Sequence, residues 1–117
     1  GFIYVTDLVE GLVQATDVGL DGEAINLGNA QEVVTINELA SRIIELSGKN
    51  IAIEHDRSKP TGTDRYCADT ERMRERLNWK PRVPMEEGLR RTYQWVERQL
   101  TAADEAGAGR EEWVTHD

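Results

Sequence analysis

Residues 59–79, KPTGTDRYCADTERMRERLNW, decide how the chain is read. The run opens as a turn, with Pro60 and Gly62 as its breakers. Arg65 stands at the mouth of that turn, and Asp69 then opens a short helical run that carries Met73 and Leu77 and closes on Trp79 and Pro81. A guanidinium on a Gly/Pro loop with a helix directly behind it suits an anionic oxygen, because its planar fork matches phosphate or carboxylate. A surface ion pair of Arg65 with Asp64 or Asp69 is the competing reading, and the residues alone leave both open.

Upstream, Asn50–His55 alternates with Ile51 and Ile53 on one face, which predicts a strand leading into the loop. Before it, Thr35-Ile36-Asn37-Glu38 is a capping box, with a hydroxyl at the N-cap and a carboxylate three residues on. Ile36, Leu39, Ala40, Ile43, Ile44 and Leu46 follow as a wide apolar stripe, and Gly48 is placed to stop the helix. Ala24–Leu27 and Val33-Val34 read as short extended pieces. Gly28 and Asn26 end the first of them, either as a plain turn or as part of a pocket lining. The chain opens in a β-like run, Phe2–Val5, and an opening inside a strand suggests that something upstream is missing. Asp7 with Glu10 then forms a second Asp-x-x-Glu box ahead of Leu8, Leu12 and Ala15. Gly19 and Asp21-Gly22 end that helix.

Downstream, Pro84 suits the first helical position of a long helix whose inner stripe is Met85, Leu89, Tyr93, Val96 and Leu100, flanked by Trp95. Its N-cap would be Val83, which has no side-chain acceptor. That leaves one donor to water at about 1 kcal/mol against Ser or Thr. From Thr101 the periodicity fails. The expectation is one portion over residues 1–100 and a mobile tail over 101–117.

The chain has 117 residues, enough for one small domain burying roughly 65% of its unfolded surface. A formal net charge of −8 disfavours broad contact with nucleic acid or anionic membranes, yet does not forbid one phosphate at one local site. No apolar run approaches the ~20 residues of a membrane span, and no signal peptide is visible. A single cysteine, Cys67, excludes an internal disulfide framework and fits a reducing cytoplasm. It reads as a small packed residue lacking a sequence-local base. His55 and His116 have no neighbours at metal-ligand spacing, so no metal site is expected. There is no Gly-x-Gly-x-x-Gly turn for a dinucleotide and no Tyr-x-x-x-Lys pair, so neither catalytic nor cofactor-binding residues are assigned. Asp7 and Asp69 read as helix caps, Trp79 and Trp95 as packing residues, and His55 as a partly exposed strand end.

Taken in order, a series of motifs resembles the C-terminal part of the extended short-chain dehydrogenase/reductase family, the NAD-dependent sugar-nucleotide epimerases and dehydratases. The carrying residues are Phe2-Ile3-Tyr4-Val5-Thr6-Asp7-Leu8-Val9-Glu10-Gly11, then Ile25-Asn26-Leu27-Gly28 and Thr35-Ile36-Asn37-Glu38-Leu39-Ala40. They continue through Arg65, Ala68-Asp69-Thr70 and Leu77-Asn78-Trp79-Lys80-Pro81 to Glu86-Glu87-Gly88-Leu89-Arg90-Arg91-Thr92 and Trp95. The resemblance implies an α/β fold: a C-terminal fragment of a Rossmann-type enzyme, with about four helices and a few short strands, some belonging to the Rossmann sheet. It implies that the chain grips a nucleoside-diphosphate sugar and that Arg65 contacts the substrate diphosphate. In that family NAD takes a hydride from the sugar and a tyrosine acts as base, but the NAD loop and catalytic pair lie upstream of this part. The chain alone is therefore expected to be inactive. The runs Lys59-Pro60-Thr61-Gly62, Asn78-Trp79 and Trp79-Lys80-Pro81 resemble different members, so the sugar is not named by them. The alternative is a non-catalytic module. Without a Rossmann half, exposed apolar faces would be buried by a homodimer or another chain.

Overall fold

The computed structural model describes residues 2–56, 58 and 67–105. Four helices appear in chain order: α1 (Val5–Asp17), α2 (Ile36–Ser47), α3 (Glu71–Leu77) and α4 (Met85–Glu105). α1 packs on α3, and α2 packs on α4.

α1 starts after Tyr4, whose backbone is extended (φ −74°, ψ 144°) and whose carbonyl accepts from the Leu8 N–H at 3.1 Å. No side chain caps this end. Asp7, expected as the cap, instead lies buried in the first turn with its carboxylate directed at a remote segment. The expected stop is present: Gly19, Asp21 and Gly22 all have positive φ.

α2 begins with the capping box. The Thr35 N–H donates to Glu38 Oε2 at 2.7 Å, and Thr35 Oγ1 accepts from the Glu38 N–H at 3.1 Å. The Thr35 backbone and then its hydroxyl hold the Glu38 carboxyl below its ordinary range. Gly48 ends the helix in the left-handed region (φ 62°), where a Cβ would be strained. Despite this local specification none of its residues is buried, and Ile36 is 71% exposed.

α3 has only seven residues, yet both its apolar positions, Met73 and Leu77, are 2% exposed. Asp69, expected as the cap, lies one position outside it: Thr70 is the N-cap and makes no side-chain cap bond, while Asp69 Oδ1 accepts the Glu71 N–H at 3.0 Å from the preceding turn. At the other end Asn78 turns left-handed, and Gln14 of α1 donates from Nε2 to the Leu77 carbonyl at 3.0 Å. That bond supplies a partner for one of the carbonyls a helix end leaves free. Met73, Leu77 and Trp79 form the core, with Ile3, Ala15, Leu20, Ile25 and Leu27 packed around them. α1 approaches this core closely at Gly11, where a Cβ would lie 3.2 Å from Leu27 Cδ1 and 3.3 Å from Trp79 Cη2.

α4 starts one residue later than its pattern predicts, because Pro84 takes the N-cap position and accepts the Gly88 N–H at 2.9 Å. It also runs past Leu100 to Glu105, so the helix enters the stretch expected as tail. Residues 106–117 of that stretch lie outside the described residues. Tyr4 lies over α4 at Gly88, with Cδ2 3.2 Å from where a Cβ would sit.

The expected strands are the main correction. Phe2–Tyr4, Ala24–Leu27, Val33-Val34 and Asn50–His55 are not helical, but none belongs to a strand among the described residues. Val5 joins α1 instead. A strand exists only through its ladder, and no backbone hydrogen bond pairs these segments. Ile51 and Ile53 are accordingly exposed. Trp95 and Cys67, expected to pack, are exposed as well.

Candidate functional site

Arg65, the predicted anion ligand, lies outside the described residues, as does the rest of 59–66. The described segments that flank it are tied down on both sides. On one side His55 Nε2 meets Asn37 Oδ1 at 3.1 Å, which ties the incoming segment to the first turn of α2. On the other side the Asn26 amide donates from Nδ2 to the Asp69 carbonyl at 3.1 Å, and Arg72 reaches the Ala24 carbonyl at 3.4 Å. The Ile25–Gly28 segment and the start of α3 are thereby held side by side. Asn26 has a structural task here.

Next to this junction lies a cleft of about 370 Å³. One wall is the Gly28–Glu32 loop, a second is the Thr70–Arg74 face of α3, and the third is the Lys80–Pro84 segment. Gly28 is buried, with Ala68 Cβ and Thr70 Cγ2 at 3.7 and 3.8 Å from its would-be Cβ. Asn29 shapes the loop: Oδ1 accepts the Gln31 N–H at 3.1 Å and Nδ2 donates to Glu32 Oε2 at 3.1 Å.

Two carboxylates fix the third wall. Asp7 Oδ2 accepts the N–H groups of Arg82 (3.0 Å) and Val83 (2.9 Å). Glu32 Oε2 accepts the Met85 N–H at 2.7 Å. The sequence reading left a donor at the start of α4 to water. The structure instead satisfies these donors with anions from distant parts of the chain, where a negative charge also suits the helix N-terminus. Neither role has a local pattern that announces it. Asp7 looks like an ordinary cap and Glu32 like a loop carboxylate.

The cations sort into two groups. Arg76 pairs with Glu23 at 2.6 Å and Arg82 with Glu10 at 3.1 Å. Arg90 and Arg91 share Glu87, whose carboxyl they hold below its ordinary range through hydrogen bonds, first from Arg90 and then from Arg91. Arg91 also stands 5.6 Å from the centre of the Tyr4 ring. The side chains of Arg74 and Lys80, both lining the cleft, have no ion pair or hydrogen bond among the described residues. No group of three or more His, Cys, Asp or Glu side chains that could hold a metal occurs among the described residues. No helix among them is long and apolar enough to cross a membrane.

Gly28, the glycine that follows the Ala24–Leu27 segment, leads into the 29–35 connection and faces the side chains of Ala68 and of Thr70, the N-cap of α3.

Residues 1–92 match the family model described as GDP-mannose 4,6 dehydratase. A probable GDP-L-fucose synthase 1 from Oryza sativa subsp. japonica is 37% identical over 102 residues, covering 87% of this chain and 30% of the relative. A GDP-mannose 3,5-epimerase from Arabidopsis thaliana is 31% identical over 99 residues, covering 85% and 26%. A human dTDP-D-glucose 4,6-dehydratase is 30% identical over 101 residues, covering 80% and 28%. The chain thus spans 30% or less of the length of these relatives.

Proposed function

The chain belongs to the extended short-chain dehydrogenase/reductase family of sugar-nucleotide epimerases and dehydratases, and we propose that it supplies the substrate-gripping portion of such an enzyme. The observation that carries this reading is the family match across residues 1–92, which takes in the loop bearing Arg65. Arg65 holds the diphosphate of a nucleoside-diphosphate sugar, and the described segments on either side of it are tied by His55 to Asn37 and by Asn26 to Asp69. The Asp7 and Glu32 braces keep the neighbouring segment in place. NAD is bound by other parts of the whole enzyme, which has the Rossmann α/β architecture of the family.

Support for a missing covering surface comes from α1. Val5, Val9, Leu12 and Val13 fall on one helical face and are all more than half exposed. In this reading the Rossmann half lies on that face.

Calorimetric titration with GDP tests the proposal. The chain binds GDP saturably, and Arg65→Ala weakens that binding about tenfold, the loss of one charge-assisted contact. Neither NAD binding nor turnover of any nucleotide sugar is expected of the 117-residue chain by itself. GDP binding that ignores Arg65→Ala, or robust NAD binding, overturns the reading.

A further inference from the structure

The cleft between the Gly28–Glu32 loop, α3 and Lys80–Pro84 has a polar side that the preceding reading does not use. Thr70 lines it and is 6% exposed, yet its hydroxyl neither caps α3 nor makes any other hydrogen bond among the described residues. That oxygen is not sealed off from the cleft either: among the described residues, the side-chain atom that is both fully enclosed and unpartnered is Trp79 Nε1. A nearly buried hydroxyl with no partner among the described residues, still reaching the cleft, is suited to hydrogen-bond a polar ligand there.

The cations point the same way. Arg74 lies one helical turn beyond Thr70, so both belong to one face of α3. Lys80 enters from the opposite wall, directly after the buried Trp79. In a chain of net charge −8 neither of these side chains has an ion pair among the described residues, while Arg76, Arg82, Arg90 and Arg91 each hold a carboxylate. The acid that faces the cleft, Glu32, is engaged by the Met85 N–H and the Asn29 amide. A guanidinium fork, an ammonium and a hydroxyl donor together suit a tetrahedral oxyanion with several acceptor oxygens. About 370 Å³ is near the lower end of small-molecule sites, which fits a compact ligand and not an extended one.

We propose that this cleft is a binding site for the phosphate group of a small phosphorylated molecule, held by Thr70, Arg74 and Lys80. Free phosphate and a phosphomonoester share that chemistry, so both serve as probes. Inorganic phosphate and glucose 1-phosphate are titrated separately into the 117-residue protein at constant ionic strength, followed by amide chemical shifts.

Saturable shifts centred on Gly28, Thr70, Arg74 and Lys80 with either probe support the site, and the tighter probe identifies the source. Arg74→Ala and Lys80→Ala each weaken binding about tenfold. Both side chains are exposed, so these variants keep the fold, which their unperturbed spectra verify. Thr70→Val weakens binding severalfold with the shape retained. Lys49→Ala, an exposed charge away from the cleft, leaves binding unchanged. Absence of saturation with both probes overturns the proposal. So does binding that is lost in Arg65→Ala but survives in Arg74→Ala and Lys80→Ala, because it would belong to the substrate loop.

Discussion

α2 and α3 are opposites. α2 has a complete capping box, a glycine stop and a broad apolar stripe, yet none of its residues is buried. α3 is seven residues long, shorter than an isolated helix can sustain, and its two apolar side chains are the most buried large ones among the described residues. One helix is specified by its neighbours in sequence, the other by its neighbours in space. Local instructions decide that a helix forms, whereas packing against Trp79 and α1 decides how much the fold depends on it.

The sharpest way to break this comparison is to truncate each helix. Leu77→Ala on α3 should cost about 2–5 kcal/mol, while Leu39→Ala on half-buried α2 should cost well under that, both read from urea unfolding. Equal costs would end the distinction. Next comes the brace between α1 and the segment ahead of α4. Asp7→Ala strands the Arg82 and Val83 N–H groups and should cost about 2–3 kcal/mol, whereas Asp7→Asn, which keeps an acceptor, should lose less. Gly11→Ala tests the close approach of α1 to Leu27 and Trp79 and should cost about 1–2 kcal/mol by overpacking.

The smallest effects belong to α2. Thr35→Ala should remove about 1 kcal/mol through the lost cap. The Glu38 half of that cap also has a pH signature. Its folded pKa lies below the unfolded value of about 4.3, so its contribution is present above that pH and fades as pH falls through the folded value. Carboxyl chemical shifts of Glu38, with the amide shifts of α2 followed in parallel, should show the cap opening only in acid. Thr35→Ala should return the titration midpoint toward the unfolded value.

The same contrast explains what could be read in advance. The α2 box and the Gly48 stop are patterns confined to a few consecutive residues, and both appear in the structure, whereas Asp69 falls one position outside the N-cap of α3. The helix count and the place of Trp79 in the core were also legible. The strands were not, because alternation at Ile51 and Ile53 records a preference for pleated surroundings and says nothing about whether a paired neighbour exists. Asp7 was misassigned for a related reason: Asp-x-x-Glu is a cap only if the helix starts there, and the N-cap of α1 is Tyr4, three residues earlier. Within the cleft, the spacing of Thr70 and Arg74 was visible in the sequence. Their lack of partners was not, since that depends on which carboxylates Glu10, Glu23 and Glu87 are already committed to other arginines.

The two anions that hold the start of α4 sit 76, 75 and 53 positions ahead of the amides they serve. During synthesis from the N-terminus they emerge from the ribosome long before Met85 does. Bonds that close such long loops form late on a folding route. The beginning of the longest helix is therefore among the last joints to lock, and loosening either acid should hasten unfolding far more than it slows folding.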